Sequence, residues 1–158
     1  MAFKKWTLSG QQLRADPKHG SILASKFINC MMWCGKKTVA QRIFYNALDL
    51  VAQKVKDDPP IEVFEKAVGN VRPRIQIRSR RVGGSNYQVP MPVSTKRAQA
   101  LAIRWILDAA RAKKGKPMEQ RLAAEFIDAY NDQGAAVTTK ENVHRMADAN
   151  KAFAHFAF

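Results

Sequence analysis

Apolar positions recur every three or four residues along most of this chain. Clusters of Pro, Gly and Asp cut that pattern into helix-sized lengths. Asp16-Pro17-Lys18-His19-Gly20 reads as a turn. From Ser21 to Trp33, the residues Leu23, Phe27, Cys30 or Met31, and Cys34 fall at helical spacing, and Gly35-Lys36-Lys37 stops this first helix. Thr38 opens a longer one to about Val55, with Val39, Ile43, Ala47, Leu50 and Val51 on one face. Lys56-Asp57-Asp58-Pro59-Pro60 breaks it. Asp58 is placed to cap the third helix, whose first turn tolerates the prolines. Ile61, Phe64, Ala67 and Val68 form its stripe, and Gly69-Asn70 marks its end.

At Arg72 the period changes from helical to two. Ile75 and Ile77 alternate with Arg74, Gln76 and Arg78, then Tyr87, Val89, Met91 and Val93 alternate again. Gly83-Gly84-Ser85-Asn86 between them is turn chemistry, so residues 72–93 are predicted to form a β-hairpin. Pro90 and Pro92 cannot donate ladder hydrogen bonds, which makes the second strand an edge. Helical spacing then resumes. Ser94-Thr95 caps a helix to about Lys114, with Leu101, Ala102, Trp105 and Ala109 inward. Gly115 and Pro117 separate it from a helix carrying Leu122, Phe126, Ile127 and Tyr130, which Gly134 closes. Thr138 to Glu141 fits a capping box for a last helix. The fold class is therefore mainly α: a compact bundle of about six helices with one protruding basic β-hairpin.

Composition supports one domain over residues 1–158, with residues 1–13 as an arm ahead of the bundle and the hairpin inserted within it. Hydrophobic residues make up 46% of the chain, enough for a core and too many for a disordered chain. No apolar run has the length of a membrane helix or a signal peptide. Two cysteines four residues apart suit a reducing compartment, so the expected location is cytoplasmic.

Charge changes the picture most. Residues 72–116 carry twelve basic side chains and one acid, Asp108, which places +11 of the chain's +14 in under a third of its length. Such concentration is a footprint for a polyanion, most commonly nucleic acid. Arg72, Arg74, Arg78 and Arg80 are all even-numbered and share one strand face, about 7 Å between neighbours in register, close to the spacing of phosphates. Arg97, Arg104 and Arg111 recur every seven residues on the following helix, with Lys96 at its start. Lys36-Lys37 and Lys113-Lys114-Gly115-Lys116 are short basic loops. Arg81, Gly83 and Gly84 stand at the hairpin tip, where glycine lets backbone approach a ligand closely. Tyr87 is the aromatic placed to stack on a base or ribose.

Catalytic signals are poor. His19, His144 and His155 have no partners at metal or triad spacing, and no phosphate-loop glycine pattern occurs. Cys30 and Cys34 would need two further ligands to hold zinc, and both fall on the first helix's apolar stripe, so core packing is expected. Trp33 and Trp105 are likewise expected in the core. No cofactor, metal, membrane or small-molecule substrate is implied, and the chain is expected not to be an enzyme.

Longer stretches are recognisable as a set. Asp16-Pro17-Lys18-His19-Gly20, Phe27-Ile28-Asn29, Gly35-Lys36-Lys37, Val63-Phe64-Glu65-Lys66-Ala67 and Asn70-Val71-Arg72-Pro73 come first. Ser79-Arg80-Arg81-Val82-Gly83-Gly84, Tyr87-Gln88-Val89-Pro90, Ala102-Ile103-Arg104-Trp105, Arg121-Leu122-Ala123 and Gly134-Ala135-Ala136-Val137 follow. Val143 to His155 closes the series. In this collinear order, over roughly residues 14–156, the chain resembles small-subunit ribosomal protein seven in its bacterial form.

That resemblance implies a helical bundle with a β-ribbon that binds small-subunit ribosomal RNA directly and nucleates assembly of the subunit head. It implies neighbouring small-subunit proteins as partners, with exit-site transfer RNA and messenger RNA close by, and repression of the protein's own messenger as a further activity. On it, Lys36, Lys37, Arg72, Arg74, Arg78, Arg80, Lys96, Arg97, Arg104, Arg111, Lys113, Lys114 and Lys116 hold ribosomal RNA. Arg81, Gly83, Gly84, Tyr87, Arg145 and Lys151 face the transfer RNA and messenger exit site. The family's arm is usually richer in arginine, whereas residues 1–13 here offer only Lys4 and Lys5. Cys30, Trp33 and Cys34 are individual to this chain and take no family role. The ribosome is placed in the cytoplasm, with an organellar ribosome as the other setting. Two rivals remain: an architectural DNA-binding protein whose basic ribbon enters a groove, and an enzyme acting on nucleic acid.

Overall fold

The computed structural model describes residues 13–56 and 58–156. The predicted arm therefore lies outside the described residues except for Leu13, and Asp57 lies outside them too. Six α-helices occur among the described residues: α1 (Ile22–Met31), α2 (Lys37–Lys54), α3 (Pro60–Val71), α4 (Thr95–Ala112), α5 (Met118–Tyr130) and α6 (Ala135–Ala149). Strands β1 (Ile75–Val82) and β2 (Ser85–Pro92) stand between α3 and α4, and a 3-10 helix (Lys151–Phe156) follows α6.

Each helix buries one stripe, but on α2 it is Ala40, Phe44, Ala47, Leu48 and Val51, rotated from the expected face, so Ile43 and Leu50 are half-buried and Val39 is exposed. α5 packs against α2, α3 and α4. Phe27, Phe44, Phe64 and Phe126, one each from α1, α2, α3 and α5, are wholly buried. Their six pairwise ring-centroid distances run from 5.2 to 6.3 Å, with edge-on contacts prominent. Such pairs add about 0.5–1.5 kcal/mol each beyond area burial. The four rings join α1, α2, α3 and α5 at the centre of the core.

The hairpin forms in the register that its turn selects. Val82 pairs with Ser85, leaving Gly83 and Gly84 as a two-residue turn. Both have left-handed backbone, φ +56° and +89°, which glycine adopts at little cost. Ser85 and Asn86, expected in the turn, belong to β2. Val93 N–H donates to Arg74 C=O, so bonded pairs alternate from there and Pro90 and Pro92 fall at non-bonded positions opposite Ile77 and Ile75. Their missing N–H groups cost the ladder nothing.

Tertiary partners moved several local features. Asp58 does not cap α3: Pro59 holds that position, and the Asp58 carboxylate accepts from Lys66 Nζ and Tyr130 OH instead. α3 runs through Gly69-Asn70 to Val71 because Asn70 is tied down, its Nδ2 donating to the carbonyls of Ala129 and Tyr130 and its own carbonyl accepting from Lys140 Nζ. α6 begins at Ala135 rather than after Thr138. The carboxylate of Glu125 accepts from Ala136 N–H at 3.0 Å and caps α6 from another helix, while Thr138 Oγ1 donates back to Gly134 C=O.

Cys30, Cys34 and Trp33 are not core residues. Both cysteines are exposed, and Trp33 is 70% exposed. The buried stripe of α1 is Ala24, Phe27, Ile28 and Met31, which puts Cys30 roughly 110° around the axis from its centre. The helix stops at Met31 with extended backbone at Met32, so the stripe never reaches Trp33 or Cys34. Trp105 is half-buried, packed against the core's edge.

Candidate nucleic-acid interface

Arg78 and Arg80 share one face of β1 and are exposed, with Arg81 exposed on the other face and Arg74 exposed just ahead of the strand. Arg72, expected on the strand, is instead the half-buried C-terminal cap of α3, because that helix runs on to Val71. Arg78 stands opposite Val89 and Arg80 opposite Tyr87. The guanidinium row therefore lies beside an apolar line on β2, where Val89 is only 1% exposed. Arginine stems cover such a line while their heads stay in water. The ribbon's root is pinned by Arg74 N–H donating to His144 Nε2 on α6. Nearer its tip, Arg80 donates to Phe156 C=O at 2.7 Å. Tyr87 meets Phe153 and Phe156, each with centroids 5.2 Å away. Its ring is thus half-buried by the 3-10 helix. Arg81, Gly83, Gly84, Arg145 and Lys151 are all exposed.

Ile77 and Gln88, on the opposite ribbon face, look into an open groove of about 500 Å³ that Arg97, Leu101 and Trp105 of α4 and Val143, Met146 and Asn150 complete. Lys96, Arg97 and Arg104 are exposed along α4. Arg111 is half-buried, donating to Met31 C=O at 3.3 Å. Lys36 and Lys37 are exposed, as the cap and first residue of α2.

The basic loop after α4 divides its labour. Lys114 and Lys116 are exposed, but Lys113 Nζ lies 2.8 Å from Glu125 Oε2 and 3.2 Å from Asp128 Oδ2. Burial pulls the Lys113 ammonium down, and the two carboxylates outweigh it, holding it above the ordinary lysine range. Its charge is paired with the protein's own carboxylates. Lys54 and Arg121 join Lys114 and Lys116 around a pocket of about 470 Å³. Sequence reasoning missed both, because no local pattern says that the end of α2 meets the start of α5.

The turn before α1 also has a structural explanation. Asp16, 3% exposed, accepts from the N–H groups of Lys18 and His19 and from Tyr45 OH at 2.7 Å. Burial, then the Asp16 hydrogen bond and charge, push the Tyr45 hydroxyl up to about 12. Among the described residues no group of three or more His, Cys, Asp or Glu is placed to hold a metal, and no helix is long and apolar enough to cross a membrane.

The sequence matches the family Ribosomal protein S7p/S5e over residues 3–151. It is 58% identical over 153 residues to the small ribosomal subunit protein uS7 of Rhodopirellula baltica, covering 96% of this chain and 98% of that protein. The uS7 proteins of Thermotoga neapolitana (54% identity, 92% of this chain and 94% of theirs) and Desulfotalea psychrophila (51%, 97% and 98%) are similarly alike. A helical bundle with a basic ribbon, matched end to end at this level of identity, leaves one conclusion: the chain belongs to the ribosomal protein S7p/S5e family.

Proposed function

We propose that this chain is a structural, non-catalytic constituent of the small ribosomal subunit and that its ribbon and α4 hold ribosomal RNA of the subunit head. The observation that carries the assignment of surface is the exposed row Arg74, Arg78 and Arg80, with Arg97 and Arg104 exposed on the helix that follows. Phosphate contacts from this row set the RNA's orientation, and shape and unstacked bases supply specificity. Lys36, Lys37, Arg72, Lys96, Arg111, Lys114 and Lys116 add further RNA contacts, while Lys113 is held by Glu125 and Asp128.

Neutralising phosphates lets RNA helices that repel one another pack together, which is how the chain nucleates the head. The ribbon tip, with Arg81, Gly83, Gly84 and Tyr87, together with Arg145 on α6 and Lys151 at the start of the 3-10 helix, faces exit-site transfer RNA and the messenger. Neighbouring small-subunit proteins cover other faces. A messenger folded like the head RNA would compete for the same surface, the basis for repression of the chain's own synthesis.

Equilibrium binding to a transcript of the ribosomal head domain tests this, with transfer RNA and duplex DNA as competitors across a salt series. Specific binding survives both competitors and falls by roughly a thousandfold between 50 and 200 mM salt if six or more phosphates are neutralised. Affinity nearly independent of salt would refute it, and equal displacement by duplex DNA would refute it in favour of the architectural DNA-binding alternative.

A further inference from the structure

An exposed tryptophan beside an apolar groove stands apart from the ribbon. Trp33 is 70% exposed. The Arg111 guanidinium lies 5.2 Å from its ring centroid and is itself held by the Met31 carbonyl. The ring therefore rests on a fixed cation while most of its surface stays open. Next to it is a groove of about 210 Å³, whose lining among the described residues includes Met31, Ile43 and Met118, two cations, Lys36 and Arg111, and no acid.

We propose that this groove takes one unstacked nucleotide of the bound ribosomal RNA, its base against Trp33 and the thioethers and its phosphate between Lys36 and Arg111. The inference rests on the RNA-binding assignment above and adds to it a residue, Trp33, that the ribbon and α4 surface does not include. An apolar slot suits a flat ring, a free aromatic face stacks on any base, and two cations without an acid select an anionic occupant over an apolar protein side chain. Stacking needs a base already out of its helix, so the nucleotide belongs to a loop, bulge or junction.

The test uses the full chain, its Trp33→Leu, Trp33→Phe and Lys36→Gln variants, and the head-domain transcript, with thermal unfolding of each variant as a check on folding. Trp33→Leu is expected to weaken binding by roughly fivefold to a hundredfold, the loss of one stacked base, with the salt slope unchanged. Trp33→Phe keeps part of that affinity. Lys36→Gln reduces the salt slope by about one. Tryptophan emission is quenched on RNA addition in the native chain and far less in Trp33→Phe, which isolates Trp33 from Trp6 and Trp105. If the native chain binds the transcript but Trp33→Leu binds equally well and quenching does not depend on Trp33, the nucleotide site is refuted and the RNA-binding assignment stands. If the native chain does not bind the transcript, that assignment fails first. RNA binding untouched by Trp33→Leu, together with weakened uptake of the variant into small subunits reconstituted from RNA and proteins, would make the groove a protein contact and overturn the proposal.

Discussion

The ammonium of Lys113 lies 2.8 Å from the wholly buried carboxylate of Glu125. Glu125 also caps α6 through Ala136 N–H, so one ion pair joins the α4–α5 loop, α5 and the start of α6. Removing the cation leaves a buried carboxylate short of a partner, and such losses are costly. Lys113→Met is expected to destabilise the fold by about 1–3 kcal/mol, Lys113's own partial exposure keeping it below a fully buried pair. Lys114→Met, at an exposed neighbour, changes stability by less than about 0.5 kcal/mol. Urea unfolding of the two variants distinguishes them, and equal midpoints would show the pair to be idle.

Arg74, Arg78 and Arg80 carry the opposite balance. All three are exposed. Replacing them together with Gln should weaken binding to the head-domain transcript and lower the salt slope by about three. The melting temperature should shift little, because the ladder, the His144 contact and the packing of Tyr87 on Phe153 and Phe156 remain, and only the exposed Arg80–Phe156 hydrogen bond is lost. A collapse of the fold would make the row structural.

Tyr45 predicts an alkaline limit. Its hydroxyl is raised in the folded state to about 12 from an unfolded value near 10. Folding therefore favours the protonated phenol. The stabilisation is complete below about pH 10 and is lost as pH rises towards 12. Unfolding measured from pH 8 to 12 should show this loss in the native chain and less of it in Tyr45→Phe. At neutral pH that variant should lose about 1 kcal/mol for the acceptor left without its donor.

Two glycines should answer differently to alanine. Gly134 has φ +94°, and a Cβ there would stand 2.9 Å from Asp128 Cβ and 3.2 Å from Glu125 Oε1. Gly134→Ala combines backbone strain with a clash at the capping carboxylate and should cost about 1–3 kcal/mol. Gly69 lies within α3 and a Cβ there meets open space, so Gly69→Ala should stabilise by about 0.5–1 kcal/mol. Thermal denaturation of the pair checks both signs.

What could be read before folding was local. Helical periods around Phe27, Ala47, Phe64 and Phe126, the alternation around Ile75 and Ile77, and the Gly83-Gly84 turn are set by residues a few positions apart, and they yielded six helices and one ribbon. The charge excess of residues 72–116 needed no structure at all. Misplaced features share one property: their partners are distant in sequence. Asp58 fits an N-cap by spacing, yet Lys66 and Tyr130 take it. Lys113 looks like its neighbour Lys114 until Glu125 and Asp128 arrive. Cys30 keeps helical spacing from Phe27 but misses a stripe whose centre depends on which helices pack on α1.

The amino-acid order by itself thus determined the elements, the ribbon's cationic face and the family, because period, turn chemistry and net charge are properties of short windows and of their sum. Only the tertiary structure decided which cations are free and which are neutralised, and which aromatics are buried. Burial and ion pairing arise when α2, α4, α5 and α6 meet, and Trp33 stays outside because it lies beyond the end of α1, clear of the stripe that helix buries.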